Sequence, residues 1–463
     1  MAITKFLKER KDACKKLISL LTKEFDYASI LGVDTKGFAM RTDLVSSNIR
    51  DNENEQGFVI KVYDGKGYLE YSCPDINLEN YKEVYKEVLN IKLDESLPRV
   101  NARMLEEDAL TEVFERVDNE PIQVNEIMDR LKSMRDKMMK HSDLIINAMC
   151  NFSSFYVSKI FVSNNKDLEQ SYPYHTCSII SFTRKDNNIK NARESFGDKD
   201  TKKLLDLAES KVDDVASLAI QMLDALPITP GVYNVITDPS ITGLIAHEAF
   251  GHGVEMDMFV KNRAKAKDFI GKYVASPLIC MHDGAKAADS VASYFFDDDG
   301  VLAQDTLIIK DGILERGISD ALSAMQLGTK PTGNGRREEF THKTYTRMTN
   351  TYFSKGESDV NDMIKSIEYG FYLCQTNNGM EDPKNWQIQC VCEYAREIKD
   401  GKFTGRIFAP AVMSGYVLDL LKSITMVSNG FEVSGTGFCG KGHKEWVRVS
   451  DGGPHLKCKV KLG

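Results

Sequence analysis

Apolar residues at helical spacing open the chain. Phe6, Cys14, Leu17, Ile18 and Leu21 form a stripe among lysines and predict a helix over residues 4–24. Short extended runs follow at 27–31, 37–41, 57–63 and 67–71, divided by Asp-Thr-Lys-Gly, Asp-Asn-Glu-Asn-Glu and Asp-Gly-Lys-Gly turns. Helical spacing returns over 80–93 and, after a polar connector at 94–119, over 123–140. A second extended block covers 144–163 and 172–184, joined by a turn at 164–167. Its partial alternation of apolar and polar residues predicts an antiparallel sheet with one solvated face. Residues 201–226 read as one long amphipathic helix.

Pro227-Ile228-Thr229-Pro230-Gly231 interrupts both helix and strand, and marks the expected junction between a mixed α/β domain at 1–226 and a second domain at 227–463. Beyond it, 232–237 predicts a strand, and Asp238-Pro239-Ser240 can cap a helix beginning near Ile241. Asp311-Gly312 and Asp400-Gly401 each sit between strand-like runs and predict hairpins. Short helices are expected at 320–327, 359–366 and 415–423. The fold class is therefore α+β, with the strand-rich part in the second half. Cys390 and Cys392 fall on one face of a strand, a spacing that suits neither a zinc knuckle nor a redox pair.

Composition narrows the class of partner. In 463 residues, 60 Lys plus Arg stand against 68 Asp plus Glu, a net charge of −8, and no basic stripe carries interleaved aromatics. Nucleic acid is not an expected partner. No run of about 18 apolar residues predicts a membrane span. The ten cysteines follow no secreted framework, so a cytoplasmic protein with reduced thiols is expected.

The chemistry concentrates at Ala246-His247-Glu248-Ala249-Phe250-Gly251-His252-Gly253. Two imidazoles and a carboxylate in such a pattern suit a zinc ion and its general base. The histidines stand five residues apart, not four, and in a regular helix that leaves the second ring about 140° from the first. The expectation is a helix that ends or bulges at Gly251 and swings His252 back. Catalytic zinc normally takes three protein ligands. Residue type leaves Cys439, His443, His455, Cys458, Glu255 and Asp257 open as the third, with Cys439 favoured because glycines surround it. Glu255 and Asp257 are also candidates for orienting the imidazoles, against a helix-capping role.

The second half resembles the TldD/PmbA family of peptidases, on the branch that retains metal ligands. The blocks that carry the resemblance are 247–257, 331–338 (Pro331-Thr332-Gly333-Asn334-Gly335-Arg336-Arg337-Glu338), 347–352 (Arg347-Met348-Thr349-Asn350-Thr351-Tyr352) and 437–441 (Gly437-Phe438-Cys439-Gly440-Lys441). It spans about 227–463, and the first half follows the family's order of elements only weakly. The resemblance implies His247, His252 and Cys439 as zinc ligands and Glu248 as the base. It also implies a cytoplasmic dimer, homodimeric or paired with a metal-free relative, that degrades unfolded peptides in an enclosed cavity. Arg336, Arg337 and Asn350 lie in shared blocks and are candidates for gripping substrate, against an ion-pair or turn role. Two functions follow from different classes: a zinc peptidase, or a peptide-binding or maturation subunit whose metal is not catalytic.

Overall fold

The lysine-flanked stripe forms the helix Lys5–Leu21, whose Leu7, Cys14, Leu17 and Leu21 are fully buried. The computed structural model describes residues 3–52, 54–93, 100–101, 103–441 and 445–463. Described residues of the first half build a nine-stranded sheet around three long neighbours, Tyr27–Thr42, Ile145–Ser163 and Lys166–Lys185. Along Ile145–Ser163 the even positions Ala148, Cys150, Phe152, Ile160 and Val162 share one face and meet the helices. Lys5–Leu21 and Tyr81–Leu93 cover one end of that face; Val124–Lys140 and the helices after residue 200 cover the other.

Four sequence expectations change here. The Asp34-Gly37 segment is no turn: Tyr27–Thr42 runs straight through it, because it pairs on both edges, Asp34 opposite Gln56 and Ser158. At Gly37 a side chain would meet the Ser154 carbonyl oxygen at 2.2 Å, so glycine there serves close strand approach. The connector contains the edge strand Leu110–Glu115, parallel to Lys166–Lys185, and its Phe114 stacks on Phe295. The long helix is two, Thr201–Ser210 and Val212–Gln221, followed by a tight turn at Met222–Asp224. Lys211 breaks it at φ −100° and ψ −3°, and the bend keeps Leu204, Leu205 and Ala208 as well as Val215 and Ala219 on the sheet.

The polar face of the first sheet is not solvated as alternation suggested. It lies against residues 294–303 of the second half, where Phe161 packs on Phe296 and Val157 on Tyr294. Gln170 satisfies that loop's backbone, its Oε1 accepting from the Phe295 and Phe296 N–H groups and its Nε2 donating to the Phe296 carbonyl. Three consecutive aspartates complete the joint. Asp298 pairs with Lys159, Asp299 with Lys61 at 2.5 Å, and Asp297 accepts from the Gly335 N–H.

In the second half, one sheet carries the neighbours Gly231–Thr237, Tyr369–Asp382, Gln387–Lys399, Ala411–Tyr416 and Leu456–Leu462. Another places Asn350–Phe353 beside Glu445–Gly453 and Glu432–Lys441. The expected Asp-Gly hairpins form, with both central residues at positive φ: Asp311 and Gly312 at 48° and 80°, Asp400 and Gly401 at 51° and 74°. Cys390 and Cys392 are buried on their strand. Between the two sheets runs the segment 239–254, whose Ile241, Leu244, Ile245, Ala249 and Phe250 sit in the main core. No helix among the described residues is long and apolar enough to cross a membrane.

The Lys61–Asp299 pair is almost fully buried, so removing one partner strands the other's charge. Lys61→Met is expected to lower the unfolding free energy by about 3–5 kcal/mol in urea titration, with part recovered on adding Asp299→Asn. Strictly additive losses would show that the two side chains are not coupled.

Candidate metal centre

Asp238 caps the segment that carries the histidines, its carboxylate accepting from the Ile241 N–H at 2.7 Å. One α-turn, Pro239–Leu244, leads into a π-helix, Ile245–Gly251, and then a 3₁₀ turn, His252–Val254. The His252 N–H donates to the His247 carbonyl, an i→i+5 bond that stacks residues five apart. The widened turn thus absorbs the extra residue in the motif. Gly251 itself keeps helical angles, φ −60° and ψ −51°, so the helix is widened from Ile245 onward instead of being interrupted there. A side chain at Gly251 would collide with Met348 Sδ at 2.1 Å. Gly243 likewise lets the helix lie on the Gly452 backbone.

This geometry brings the His247 and His252 rings to 5.2 Å, nearly perpendicular. Cys439 arrives from the strand Glu432–Lys441, its Sγ 3.3 Å from His252 Nε2, and one donor atom from each of the three residues lies within 4.8 Å of the other two. His247 and Cys439 are buried, and His247 Nδ1 has no hydrogen-bond partner. Burial disfavours both imidazolium ions, but the Cys439 thiolate outweighs it, pushing His247 up to about 9 and His252 well above its ordinary value. Burial likewise opposes the thiolate, yet the two histidines hold the Cys439 thiol well below its usual range. A thiolate and two imidazoles form a donor set suited to a borderline-soft divalent ion.

Glu255 fixes the arrangement. Its Oε2 lies 3.2 Å from His252 Nδ1 and 3.0 Å from Lys441 Nζ, two residues beyond Cys439. Burial resists this carboxylate, but Lys441 and His252 hold it down at about 2. Asp257 binds Lys441 at 2.7 Å and does not touch the imidazoles. Arg347, buried beside Glu255, donates to the Cys439 carbonyl at 2.7 Å.

Glu248 Oε2 stands 4.0 Å from His252 Nε2. Gly379 on the strand Tyr369–Asp382 makes room for it, since a side chain there would lie 2.5 Å from Glu248 Cγ. The same strand supplies Glu381, which accepts from the Gly253 N–H at 3.0 Å. Burial raises Glu381 to about 8. The sequence carried no signal for Gly379, Glu381 or Asp451, which reach the site only through sheet pairing. Lys441 and Arg347 lay within quoted blocks but had no assigned role.

His247, Glu248, His252, Glu255, Glu381, Cys439, Lys441 and Asp451 open on a cavity of about 1460 Å³ lined from both halves of the chain. Arg336, Arg337 and Asn350 do not line it. Arg336 donates to the Met348 carbonyl, Arg337 pairs with Glu70, and Asn350 donates to the Gly284 and Ala288 carbonyls. These contacts hold the frame around the cavity instead of a substrate. Of the other residues weighed as ligands, His455 bonds Tyr372, Cys458 is in the core, and His443 lies outside the described residues. Glu338, His342 and Glu445 also converge, but they are partly exposed, and the hydrogen bond to Glu445 outweighs burial and raises His342 as the cation of an ion-pair cluster.

Residues 230–461 match the family model described as the PmbA/TldA metallopeptidase C-terminal domain. A metalloprotease of Methanocaldococcus jannaschii is 28% identical over 411 residues, covering 88% of this chain and 85% of that protein. A zinc metalloprotease TldD homolog of Saccharolobus solfataricus is 31% identical over 236 residues, 50% of this chain and 52% of that one. The crystal structure of TldE from Thermococcus kodakarensis superposes with a TM-score of 0.74 at 18% identity, over 97% of this chain and all of that one, and shares its fold. The strand-rich second half and a family model matched over half the length have one meaning: this chain belongs to the TldD/PmbA family.

Proposed function

We propose that this chain is a zinc-dependent peptidase acting on peptides or unfolded polypeptide segments, with Glu248 as its general base. The observation that carries this is the convergence of His247, His252 and Cys439 beside Glu248 inside one large cavity. The three donors would hold the metal and leave a fourth position open, as catalytic zinc requires and structural zinc does not. Zinc bound there would supply a Lewis acid and lower the pKa of water toward about 7. Relatives named as metalloproteases support the same reading.

The chain's own groups account for the proton traffic. Glu248 takes the proton of the attacking water and returns it to the leaving amine. Glu255 accepts from His252 Nδ1, which leaves Nε2 turned toward Cys439. Glu381 holds the Gly253 N–H and so the turn that follows the second histidine. We place the domain junction at 227–231 and take the working form to be a cytoplasmic dimer, with a second copy or a related chain.

Glu248→Gln should reduce hydrolysis of mixed peptides by about 10²–10⁴-fold with zinc content unchanged by metal analysis. A variant that cleaves as fast as the native chain rules out the base role, whereas a zinc-loaded native chain that cleaves no peptide favours a peptide-binding or maturation subunit with a non-catalytic metal. Cys439→Ser should lower zinc stoichiometry, and unchanged stoichiometry would reject it as a ligand. Glu255→Gln should weaken zinc affinity by about 10–100-fold in competition with a chelator. Native affinity in that variant would mean that the carboxylate does not position His252.

A further inference from the structure

We propose that the cavity selects positively charged peptide segments, whose cationic side chains lie against Glu194 and Glu432. This rests on the peptidase reading, because a peptide that reaches Glu248 must lie along the cavity. That a ligand enters is supported by the metal donor set in its lining, where the buried His247 Nδ1 has no partner among the described residues.

The charges lining the cavity are unequally satisfied. Arg193 pairs with Glu393 at 2.9 Å, Lys203 with Asp198 at 2.6 Å, Lys211 with Asp214 at 3.6 Å, and Lys441 with Glu255 and Asp257. Arg396 is the one lining cation without a carboxylate partner among the described residues. Against it stand Glu194, Asp238, Glu248, Glu381, Glu432 and Asp451, none of which has a lysine or arginine within ion-pair distance among the described residues. Glu248, Glu381 and Asp451 crowd the metal donors, where a bound divalent ion would offset their charge.

The other three have no lysine or arginine paired with them among the described residues. Glu194 belongs to Asn188–Asp198 of the first sheet and Glu432 to the strand that carries Cys439. These strands touch: a side chain at Gly197 would lie 2.4 Å from the Gly435 carbonyl oxygen. Burial raises Glu194, Lys211 pulls it back from beyond ion-pair distance, and Glu432, Asp214 and Asp238 add to the rise. Asp238 is satisfied by the Ile241 and Gln375 N–H groups, whereas Glu194 and Glu432 make no ion pair among the described residues and line the cavity. In a cleft with low-dielectric walls such charges concentrate cations. Met380, Phe438 and Trp446 line the same cavity with 66%, 56% and 49% of their surface exposed, which suits apolar residues between the basic ones.

The test compares unstructured ten-residue peptides with one shared apolar set and either Lys or Glu at the remaining positions. Their kcat/KM is measured on the zinc-loaded native protein, and their binding on Glu248→Gln by fluorescence anisotropy, at about 50 and 500 mM salt. The Lys peptides are expected to lead the Glu peptides by about tenfold or more in both measurements, with the gap narrowing at high salt. Glu194→Gln combined with Glu432→Gln should shrink that ratio at least about threefold. Equal handling of the two peptide sets by the native protein overturns the proposal, as does a ratio unmoved in the double variant. Charge-selective binding without hydrolysis of any peptide would support the proposal and defeat the peptidase reading instead.

Discussion

The candidate metal centre depends on one buried carboxylate. Glu255 joins two elements that nothing in their local sequence brings together: the turn that ends in His252 and the strand that carries Cys439. A fully buried charge is costly unless its neighbours neutralise it, and His252, Lys441 and Arg347 surround this one. The same contacts aim the His252 ring and set the hairpin's height against the helix. Arg347 repeats the tie from the other side by binding the Cys439 carbonyl. The donors are therefore held in place by ion pairs and backbone bonds before any metal arrives.

The π-turn is the second constraint. A π-turn is a rare form of helix that its surroundings must favour over the regular one. Here Gly243 and Gly251 let the segment sit tight between the two sheets, and Gly379 leaves space for Glu248. The first half contributes at a distance. Its polar sheet face clamps residues 294–303 through Gln170, Lys61 and Lys159, and its strand Asn188–Asp198 closes one wall of the cavity. The arginines of the 331–338 block belong to this frame. Arg337 reaches Glu70 on the first sheet, which accounts for its place in a shared motif without any contact with the cavity.

Much of the fold was legible from local patterns. Helix stripes at 4–24 and 123–140 and the Asp-Gly turns are short-range phenomena, and they appear within a few residues of expectation. What went unread involved partners far along the chain. Leu110–Glu115 is polar by composition and becomes a strand through its pairing with Lys166–Lys185 and the stacking of Phe114 on Phe295. The 34–37 segment looks like a turn until two neighbours supply hydrogen bonds to both of its edges.

The same division runs through the site. From the sequence alone came the two histidines, the glutamate between them, and the conclusion that a regular helix cannot bring rings five residues apart onto one ion; those are consequences of spacing and helical pitch. Which distortion resolves the conflict was decided by tertiary packing, since a π-turn costs free energy that only surrounding contacts offset. Cys439 was one open choice among several until the family resemblance singled it out, because spacing says nothing across a gap of this length. Glu381, Gly379 and Glu194 were invisible for the same reason: their importance lies in what the folded sheets place opposite them, and that is a property of the assembled chain.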